Sequence, residues 1–357
     1  MQTGSSSPRI LVIRRDNIGD LVCTTPVFRA LREHFPQARI CALVNSYNVA
    51  VLDHNRDIDQ VFAYTKAKHR PPGKSILSVY FNRLRLVIQL RRLHFDYVIL
   101  AGPGLQERSL FLARAIGAKH IVGFTDDQKS DSRFVDMGLA YRPVQQPIHE
   151  VEDTFRLLAV LGVTIPPPAL HVTASPEKHM EAEQRLRQNG KADKQAVIGV
   201  HISARKPSQR WPAAHFAELI ARLCREDAAM VLLFWSPGDE NNPLHPGDDA
   251  KAQAILNMTS GLRVVPWPTQ ELSELIAGLS VCDEVICSDG GAMHLAAGLG
   301  KPIVCFFGKS ERTRWYPWGV PHWLLQAPSL DVADICVDDA YAAFETLHQR
   351  VAQAAAS

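Results

Sequence analysis

Residues 285–308, VICSDGGAMHLAAGLGKPIVCFFG, contain the pattern that decides the fold of this chain. The apolar run 285–287 predicts a strand that leads into Gly290-Gly291, where the backbone can approach a ligand closely. A helix is predicted to begin near Ala292, so that its free N–H groups and positive dipole end face that turn. A second short apolar strand follows at IVCFF. We expect this unit to bind a phosphate group.

The same alternation of strand and helix extends over the rest of the chain. Apolar, β-branched runs predict strands at 9–13, 38–44, 61–64, 97–102, 120–124, 196–202, 230–235 and 263–267. Helical patterns lie between them, first through 27–35 and then near 78–93, 107–116, 150–161, 213–227, 248–257, 270–279 and 337–355. The polar segment 125–149 is predicted to be loop. This alternation indicates an α/β fold with parallel sheets covered by helices on both faces.

The length of 357 residues predicts two domains. Three consecutive prolines at 166–168 form a stiff break and mark the boundary. We therefore predict a disordered tail at 1–8, an N-terminal domain at 9–168 and a C-terminal domain at 169–336, with a cleft between the two domains. A final helix at 337–357 could pack back on the N-terminal domain.

Composition narrows the class of protein. A net charge of +2, 46% hydrophobic and 21% charged residues describe a soluble globular protein and give no case for nucleic-acid binding. No apolar run approaches the roughly 20 residues that span a bilayer, and the first residues lack the pattern of a secretory signal. The seven scattered cysteines predict free thiols, so we expect a cytoplasmic protein.

The segment Arg14–Asp20 (RRDNIGD) follows the first predicted strand. Asp20 lies where open α/β sheets bind ligands, and Gly19 permits a tight turn. The segment lacks the glycines of a dinucleotide-binding fingerprint, which argues against a nicotinamide oxidoreductase. A carboxylate here could act as a general base or could simply cap a helix, and the residues alone leave both open.

Polar residues also follow strands in the second half. The loop after 196–202 carries one hydroxyl and three cations before Pro212, on Ser203, Arg205, Lys206 and Arg210. This composition indicates either a second phosphate-binding loop or an ordinary basic loop. Glu240 could bind ribose hydroxyls, unless it lies in a solvated loop. In the turn itself, Asp289 suits sugar hydroxyls, and His294 falls in the first helical turn.

Two further patterns have a simple structural alternative. Asp57-Ile-Asp59 resembles a metal-binding pair, but it precedes a strand, so we predict a turn and no metal site. Positive charge is concentrated in 66–92, on Lys66, Lys68, His69, Arg70, Lys74, Arg83, Arg85, Arg91 and Arg92. These residues form either a solvated helix face or a surface that contacts anionic lipid headgroups or a phosphorylated acceptor.

Together these residues resemble glycosyltransferase family 9, the ADP-heptose:lipopolysaccharide heptosyltransferases. The resemblance rests on residues 10–40 (ILVIRRDNIGDLVCTTPVFRALREHFPQARI), on Arg210-Trp211-Pro212 and on 288–319 (SDGGAMHLAAGLGKPIVCFFGKSERTRWYPWG). Those three segments cover about a third of the chain, and the order of elements agrees across nearly all of it.

The resemblance implies the GT-B architecture, with two Rossmann-like domains facing a central cleft, and an inverting reaction without metal or cofactor. Asp20 would deprotonate the acceptor hydroxyl, Asp289 would contact the donor sugar, and Arg210 would neutralise the leaving nucleotide. The donor site would comprise Ser203, Arg205, Lys206, Gln209, Arg210, Glu240, Asp289, Gly290, Gly291, Ala292, Met293 and His294. The acceptor would meet Arg14, Asn17, Gly19, Arg70 and Arg83.

The chain departs from the family pattern at two positions on the donor side. Gly290 replaces the threonine of the usual Asp-Thr-Gly, and Gln209 replaces a lysine that is common just before Arg210. The resemblance implies a monomer with two partners: a nucleotide sugar, ADP-heptose, and a lipid-linked or polysaccharide acceptor at the inner membrane. A different donor or acceptor, a nucleotide-sugar epimerase and an inactive nucleotide-binding module remain alternatives.

Overall fold

The computed structural model describes residues 7–65, 76–141, 147–242 and 246–356, without the side chains of 76–80 and 356. Most of the predicted tail, at 1–6, lies outside the described residues, as do Lys66, Lys68, His69, Arg70 and Lys74. The chain divides into two compact units, Met1–Pro168 and Ala169–Ser357.

The first unit is built on a six-stranded parallel sheet in the order β3-β2-β1-β4-β5-β6. Its strands are β1 Arg9–Ile13, β2 Arg39–Asn45, β3 Gln60–Tyr64, β4 Tyr97–Leu100, β5 His120–Thr125 and β6 Met137–Ala140. Its helices are α1 Ile18–Val22, α2 Thr25–His34, α3 Ile76–Arg91, α4 Glu107–Ile116 and α5 Glu150–Phe155.

The second unit repeats this arrangement with the strand order β12-β11-β10-β7-β8-β9. Its strands are β7 Val197–His201, β8 Met230–Trp235, β9 Val264–Pro268, β10 Glu284–Ser288, β11 Ile303–Phe306 and β12 His322–Leu325. Its helices are α6 Pro176–Gln188, α7 Ala213–Arg225, α8 Asp249–Met258, α9 Leu272–Ser280, α10 Gly291–Gly298, α11 Arg312–Trp315 and α12 Val337–Ala356.

The central strands are buried on both faces, which explains their continuous apolar sequences. Every residue of β8 is buried, as is every residue of β10 and β11. Each sheet has the 3-2-1-4-5-6 order of the Rossmann fold, so its strand order reverses once, between β1 and β4 or between β7 and β10. The predicted α/β class with two parallel sheets is confirmed.

The segments 125–149 and 150–161 differ from the sequence prediction. The segment 125–149, predicted to be loop, contains β6, a half-exposed edge strand paired with β5. The helix predicted over 150–161 is α-helical only to Phe155 and continues as a 3-10 helix to Leu161, where Gly162 takes a left-handed φ of 81°.

The final helix packs on the second unit. Tyr341, Phe344 and Leu347 belong to the core that covers β7, β8, β10 and β11. The sequence analysis left open that this helix packs on the N-terminal domain. In the structure its apolar face packs on the sheet of the second unit. Burial of that face against the sheet is the physical reason for the difference.

Candidate active site

Open α/β sheets bind ligands beyond the carboxyl ends of their strands, where the strand order reverses. In the first unit that place lies after β1 and β4, and the segment after β1 is Arg14–Asp20. In the second unit it lies after β7 and β10, where the loop 202–212 and the turn 289–291 begin. Asp20 in the first unit, and Arg210 and Asp289 in the second, therefore belong to segments that follow strands at the switch point.

Arg14 is the centre of a buried hydrogen-bond network after β1. Its Nη1 donates to the carbonyl of Ala101, at the end of β4, over 2.8 Å, and to Thr154 Oγ1 over 3.3 Å. Its Nη2 donates to both Asp20 Oδ1 (2.9 Å) and Glu150 Oε1 (2.7 Å). Burial by itself would lower the pKa of Arg14. The negative charges of Glu150, Asp20 and Asp16 have a larger effect, so the pKa of Arg14 is raised. The sequence predicted an acceptor contact for Arg14, but its side chain is only 1% exposed and is held by the protein.

Asp20 both caps a helix and remains reachable from solvent. Its Oδ2 accepts from the backbone N–H and the side-chain amide of Asn17, which completes a capping box at the start of α1. Its Oδ1 accepts from Arg14, and its side chain is 15% exposed. An ionised carboxyl can accept about four hydrogen bonds, so Oδ1, which accepts from Arg14, can accept a further one. Gly19 lies inside the same short helix.

Two arginines flank the Tyr64 ring at the end of β3. The Arg15 guanidinium lies 4.5 Å from the ring centroid and that of Arg83 lies 4.8 Å from it. Arg83 also donates to the carbonyl of Thr65 over 3.1 Å. Burial lowers the pKa of Arg15, and the charges of Arg108 and Arg83 add to this effect. The sequence analysis did not select Arg15, although its adjacency to Arg14 was an available signal. The acceptor prediction for Arg70 falls outside the described residues.

In the second unit the loop after β7 is anchored by Trp211. Its side chain is 1% exposed, its Nε1 donates to the carbonyl of Ile335 over 2.9 Å, and its ring packs on Phe216 and Phe306. The loop also lies directly against Gly308, where an added Cβ would come within 2.2 Å of the Ser208 carbonyl oxygen. This close approach fixes the loop beside the end of β11.

Gln209 and Asp289 are joined in the resulting geometry. Gln209 Nε2 donates to Asp289 Oδ2 over 2.7 Å and to Ser310 Oγ over 3.0 Å, and Lys206 Nζ donates to Ser310 Oγ over 3.3 Å. Burial raises the pKa of Asp289, while hydrogen bonds from Ser310 and Gln209 and the charge of Lys206 partly offset that effect. Ser310 was not selected from the sequence, because only the fold brings it to this loop.

Helix α10 begins at the glycine turn, as predicted. Its first N–H groups, those of Gly291, Ala292 and Met293, have no carbonyl partner within the helix, and the space next to Gly290 is open. The Met293 side chain is fully buried and its sulfur lies 3.0 Å from Cys305 Sγ, so only its backbone N–H can serve a ligand. His294 is buried, with its ring 5.9 Å from that of Trp315.

The remaining predicted donor residues have different surroundings. Ser203 Oγ accepts from the Ser236 backbone N–H over 2.9 Å, which links the ends of β7 and β8, and Arg210 Nε donates to the Ala204 carbonyl over 2.9 Å. Arg205 is exposed on the loop. Glu240 is also exposed, in the turn that follows β8, and the structure brings it to none of the contacts of Asp289.

Lys251 is a second cation near Arg210 that the sequence analysis missed. Its Nζ donates to the Ile202 carbonyl over 3.0 Å. Burial lowers the pKa of Lys251 to about 8; Asp248 opposes this shift and the charge of Arg210 adds to it. Burial likewise lowers the pKa of His201, at the end of β7, to about 4, with a contribution from Lys251.

No group of three or more His, Cys, Asp or Glu residues with the arrangement of a metal site occurs within the described ranges. The Asp57 and Asp59 pair forms a turn: Asp59 Oδ2 accepts from the Ile40 backbone N–H over 2.7 Å and from Arg32 over 2.8 Å. None of the helices that the structure describes is long and apolar enough to cross a membrane.

The chain is similar to known proteins over most of its length. Residues 83–328 match the sequence profile of Glycosyltransferase family 9 (heptosyltransferase). Lipopolysaccharide heptosyltransferase 2 of Salmonella typhimurium is 24% identical over 310 residues, which is 85% of this chain and 83% of that protein. Lipopolysaccharide heptosyltransferase 3 of Escherichia coli is 23% identical over 300 residues, 84% of this chain and 83% of that protein.

Solved structures share the fold. A family 9 glycosyltransferase from Veillonella parvula superposes with a TM-score of 0.81 at 23% identity, over 95% of this chain and 97% of that one. The structure of the E. coli ADP-heptose lipopolysaccharide heptosyltransferase II superposes with a TM-score of 0.74 at 18% identity. The superposition covers 96% of this chain and 99% of that one. Because the family profile matches more than half of its residues, this chain belongs to glycosyltransferase family 9 and is a glycosyltransferase.

Proposed function

We propose that this protein is an inverting, metal-independent heptosyltransferase that transfers heptose from ADP-heptose to a lipopolysaccharide core or a related glycan. The observation that carries the proposal is the placement of one carboxylate at each switch point, Asp20 after β1 and Asp289 beside the glycine turn after β10. The matched relatives are named lipopolysaccharide heptosyltransferases, which supports heptose and this acceptor class. Family membership favours transfer over the epimerase and inactive-module alternatives.

The proposed reaction is a single displacement. Asp20 Oδ1 takes the proton of an acceptor hydroxyl as that oxygen attacks the anomeric carbon of the sugar. The bond between the anomeric carbon and the phosphate oxygen breaks, and the nucleoside diphosphate leaves with its electron pair. Attack opposite the leaving group inverts the anomeric configuration. Asp20 suits the proton transfer because its carboxylate is fixed by Arg14 and Asn17 yet still reachable.

The donor diphosphate would lie at the start of α10, where backbone N–H groups and the helix dipole favour an anion. Lys206, Arg210 and Lys251 supply positive charge to the loop nearby. That charge would stabilise the leaving group as it departs. Burial raises the pKa of Asp289, and the charge of Lys206, which shares Ser310 Oγ with Gln209, acts to lower it. We propose that Lys206 supplies the charge of the lysine that family members commonly have at the position of Gln209.

The acceptor would meet the first unit, as a monomer, at the cytoplasmic face of the inner membrane. Arg15 and Arg83 around Tyr64 would bind an anionic group of the acceptor. Helix α3 carries an exposed apolar stripe, Phe81 (64% exposed), Leu84 (58%) and Ile88 (44%), next to Arg85, Arg91 and Arg92. An apolar stripe beside arginines is typical of a helix that lies on an anionic membrane surface.

Calorimetric titration without added metal against ADP, UDP, GDP and CMP tests the donor. We expect selective binding of ADP, followed by transfer from ADP-heptose to a phosphorylated core acceptor in the presence of a chelator. Selective binding of UDP or GDP would contradict the adenine assignment and leave the family membership intact. Loss of transfer on chelation, restored by a divalent cation, would contradict metal independence.

A further inference from the structure

Glu150 is a fully buried carboxylate that the proposed reaction does not yet use. It is the first residue of α5, its side chain is 1% exposed, and its Oε1 lies 2.7 Å from Arg14 Nη2. The same nitrogen donates to Asp20 Oδ1 over 2.9 Å. Two carboxylates from elements 130 positions apart in sequence therefore share one hydrogen-bond donor.

Arg14 is held from two sides. Its guanidinium contacts Glu150 from α5, and Asp16 and Asp20 from the segment after β1. It also donates to Thr154 Oγ1, which lies on α5, and to the Ala101 carbonyl. Two contacts from α5 therefore fix the orientation of the guanidinium that binds Asp20.

We propose that Glu150 is a positioning residue for glycosyl transfer, which holds the Arg14 guanidinium in the orientation that fixes Asp20. This inference rests on the proposed role of Asp20 as the base. Burying a carboxylate is costly unless it is paired, and here the pairing serves the site as well as the fold.

The test compares Glu150→Gln with Glu152→Gln, which removes the same charge from the exposed side of the same helix. Glu150→Gln removes the charge that holds Arg14 but keeps the size of the side chain. We expect kcat to fall several-fold, because Asp20 is held less precisely, while the KM for the acceptor and the affinity for ADP stay unchanged. Glu152→Gln should leave kcat unchanged.

A wild-type kcat for Glu150→Gln, with only a lower melting temperature, would overturn the inference. If Glu150→Gln does not fold, Glu150→Asp and Thr154→Val each displace Arg14 by a smaller change. Both should lower kcat with the affinity for ADP unchanged, and an unchanged kcat in both would overturn the inference. Asp20→Asn is measured in parallel: if it keeps full transfer, the proposed base is wrong, whatever Glu150 does.

Discussion

Gln209 Nε2 donates to Asp289 Oδ2 over 2.7 Å and so ties the loop after β7 to the turn after β10. This contact connects the two sides of the switch point in the second sheet. Because Asp289 is half-buried, donors such as Gln209 help to hold its carboxylate in place. A position at which the family commonly has a lysine is thus occupied here by a residue that holds the carboxylate with a neutral amide.

The first prediction concerns this pair. Asp289→Asn should weaken binding of the nucleotide sugar about tenfold, since one charge-assisted hydrogen bond contributes roughly 1.5–3 kcal/mol. Gln209→Ala should weaken it less, and the double variant should lose less than the sum, because both changes remove the same contact. Calorimetry measures all three. Gln195→Ala, in the segment before β7, is the matched control and should leave binding unchanged. If the losses of binding free energy in the double variant are additive, Gln209 and Asp289 act separately.

The second prediction concerns the membrane. The double variant Phe81→Ser/Leu84→Ser should reduce co-sedimentation with phosphatidylglycerol vesicles, because it removes exposed apolar area from α3. Met180→Ser/Met258→Ser, with methionines 58% and 53% exposed on the second unit, should bind as the wild type does. Equal binding of the α3 variant, or equal wild-type binding to phosphatidylcholine, would contradict a contact through this helix. If the wild type is a dimer in solution and the α3 variant is not, the apolar stripe of α3 contacts a second copy of the chain instead of a membrane.

The third prediction is a pH dependence of stability. Unfolded His201 takes up a proton near its ordinary pKa of 6.5, whereas burial lowers the folded pKa to about 4. Between these values the unfolded state binds more protons, so stability falls as the pH falls from 6.5 to 4. The loss should reach at most about 3 kcal/mol.

Urea unfolding followed by tryptophan fluorescence measures this loss in the second unit, since all six tryptophans lie after residue 168. His201→Gln should remove that part of the pH dependence, and His171→Gln, at an exposed position, should not. If the wild type and His201→Gln lose stability equally between these pH values, the prediction that folded His201 stays neutral is wrong.

The fourth prediction concerns the final helix. Phe344 is 1% exposed within the core of the second unit, so Phe344→Ala should lower the free energy of unfolding by about 3–5 kcal/mol. Met258→Ala, at a half-exposed position in the same unit, should cost well under 1 kcal/mol. A small cost for Phe344→Ala would mean that α12 contributes little to that core.

The sequence predicted the central strands well because their burial on both faces leaves continuous apolar runs. It missed β6 (MGLA) and β12 (HWLL), which are short and partly exposed, so that little of their pattern is imposed by a core. Helix α6 was also missed, although Ser175 accepts from the Lys178 N–H and Pro176 occupies the first turn; these signals were available.

The candidate site was predictable where strand ends carry its residues, as with Asp20 and Asp289. It was not predictable where distant segments meet. Glu150 reaches Arg14 across 136 positions, and Ser310 reaches Gln209 across 101. A buried ion pair of this kind leaves no periodic trace in either segment, because only the tertiary fold brings the partners together.

The most direct test of the account is transfer by Asp20→Asn, measured with ADP-heptose and a core acceptor alongside ADP titration. The variant keeps an oxygen that can accept from Arg14 but cannot take the acceptor's proton. We predict that transfer falls at least about 100-fold, the usual contribution of a general base, while ADP affinity stays within about twofold of the wild type. Full transfer by Asp20→Asn, or a parallel loss of ADP binding, would contradict the role of Asp20 as the base.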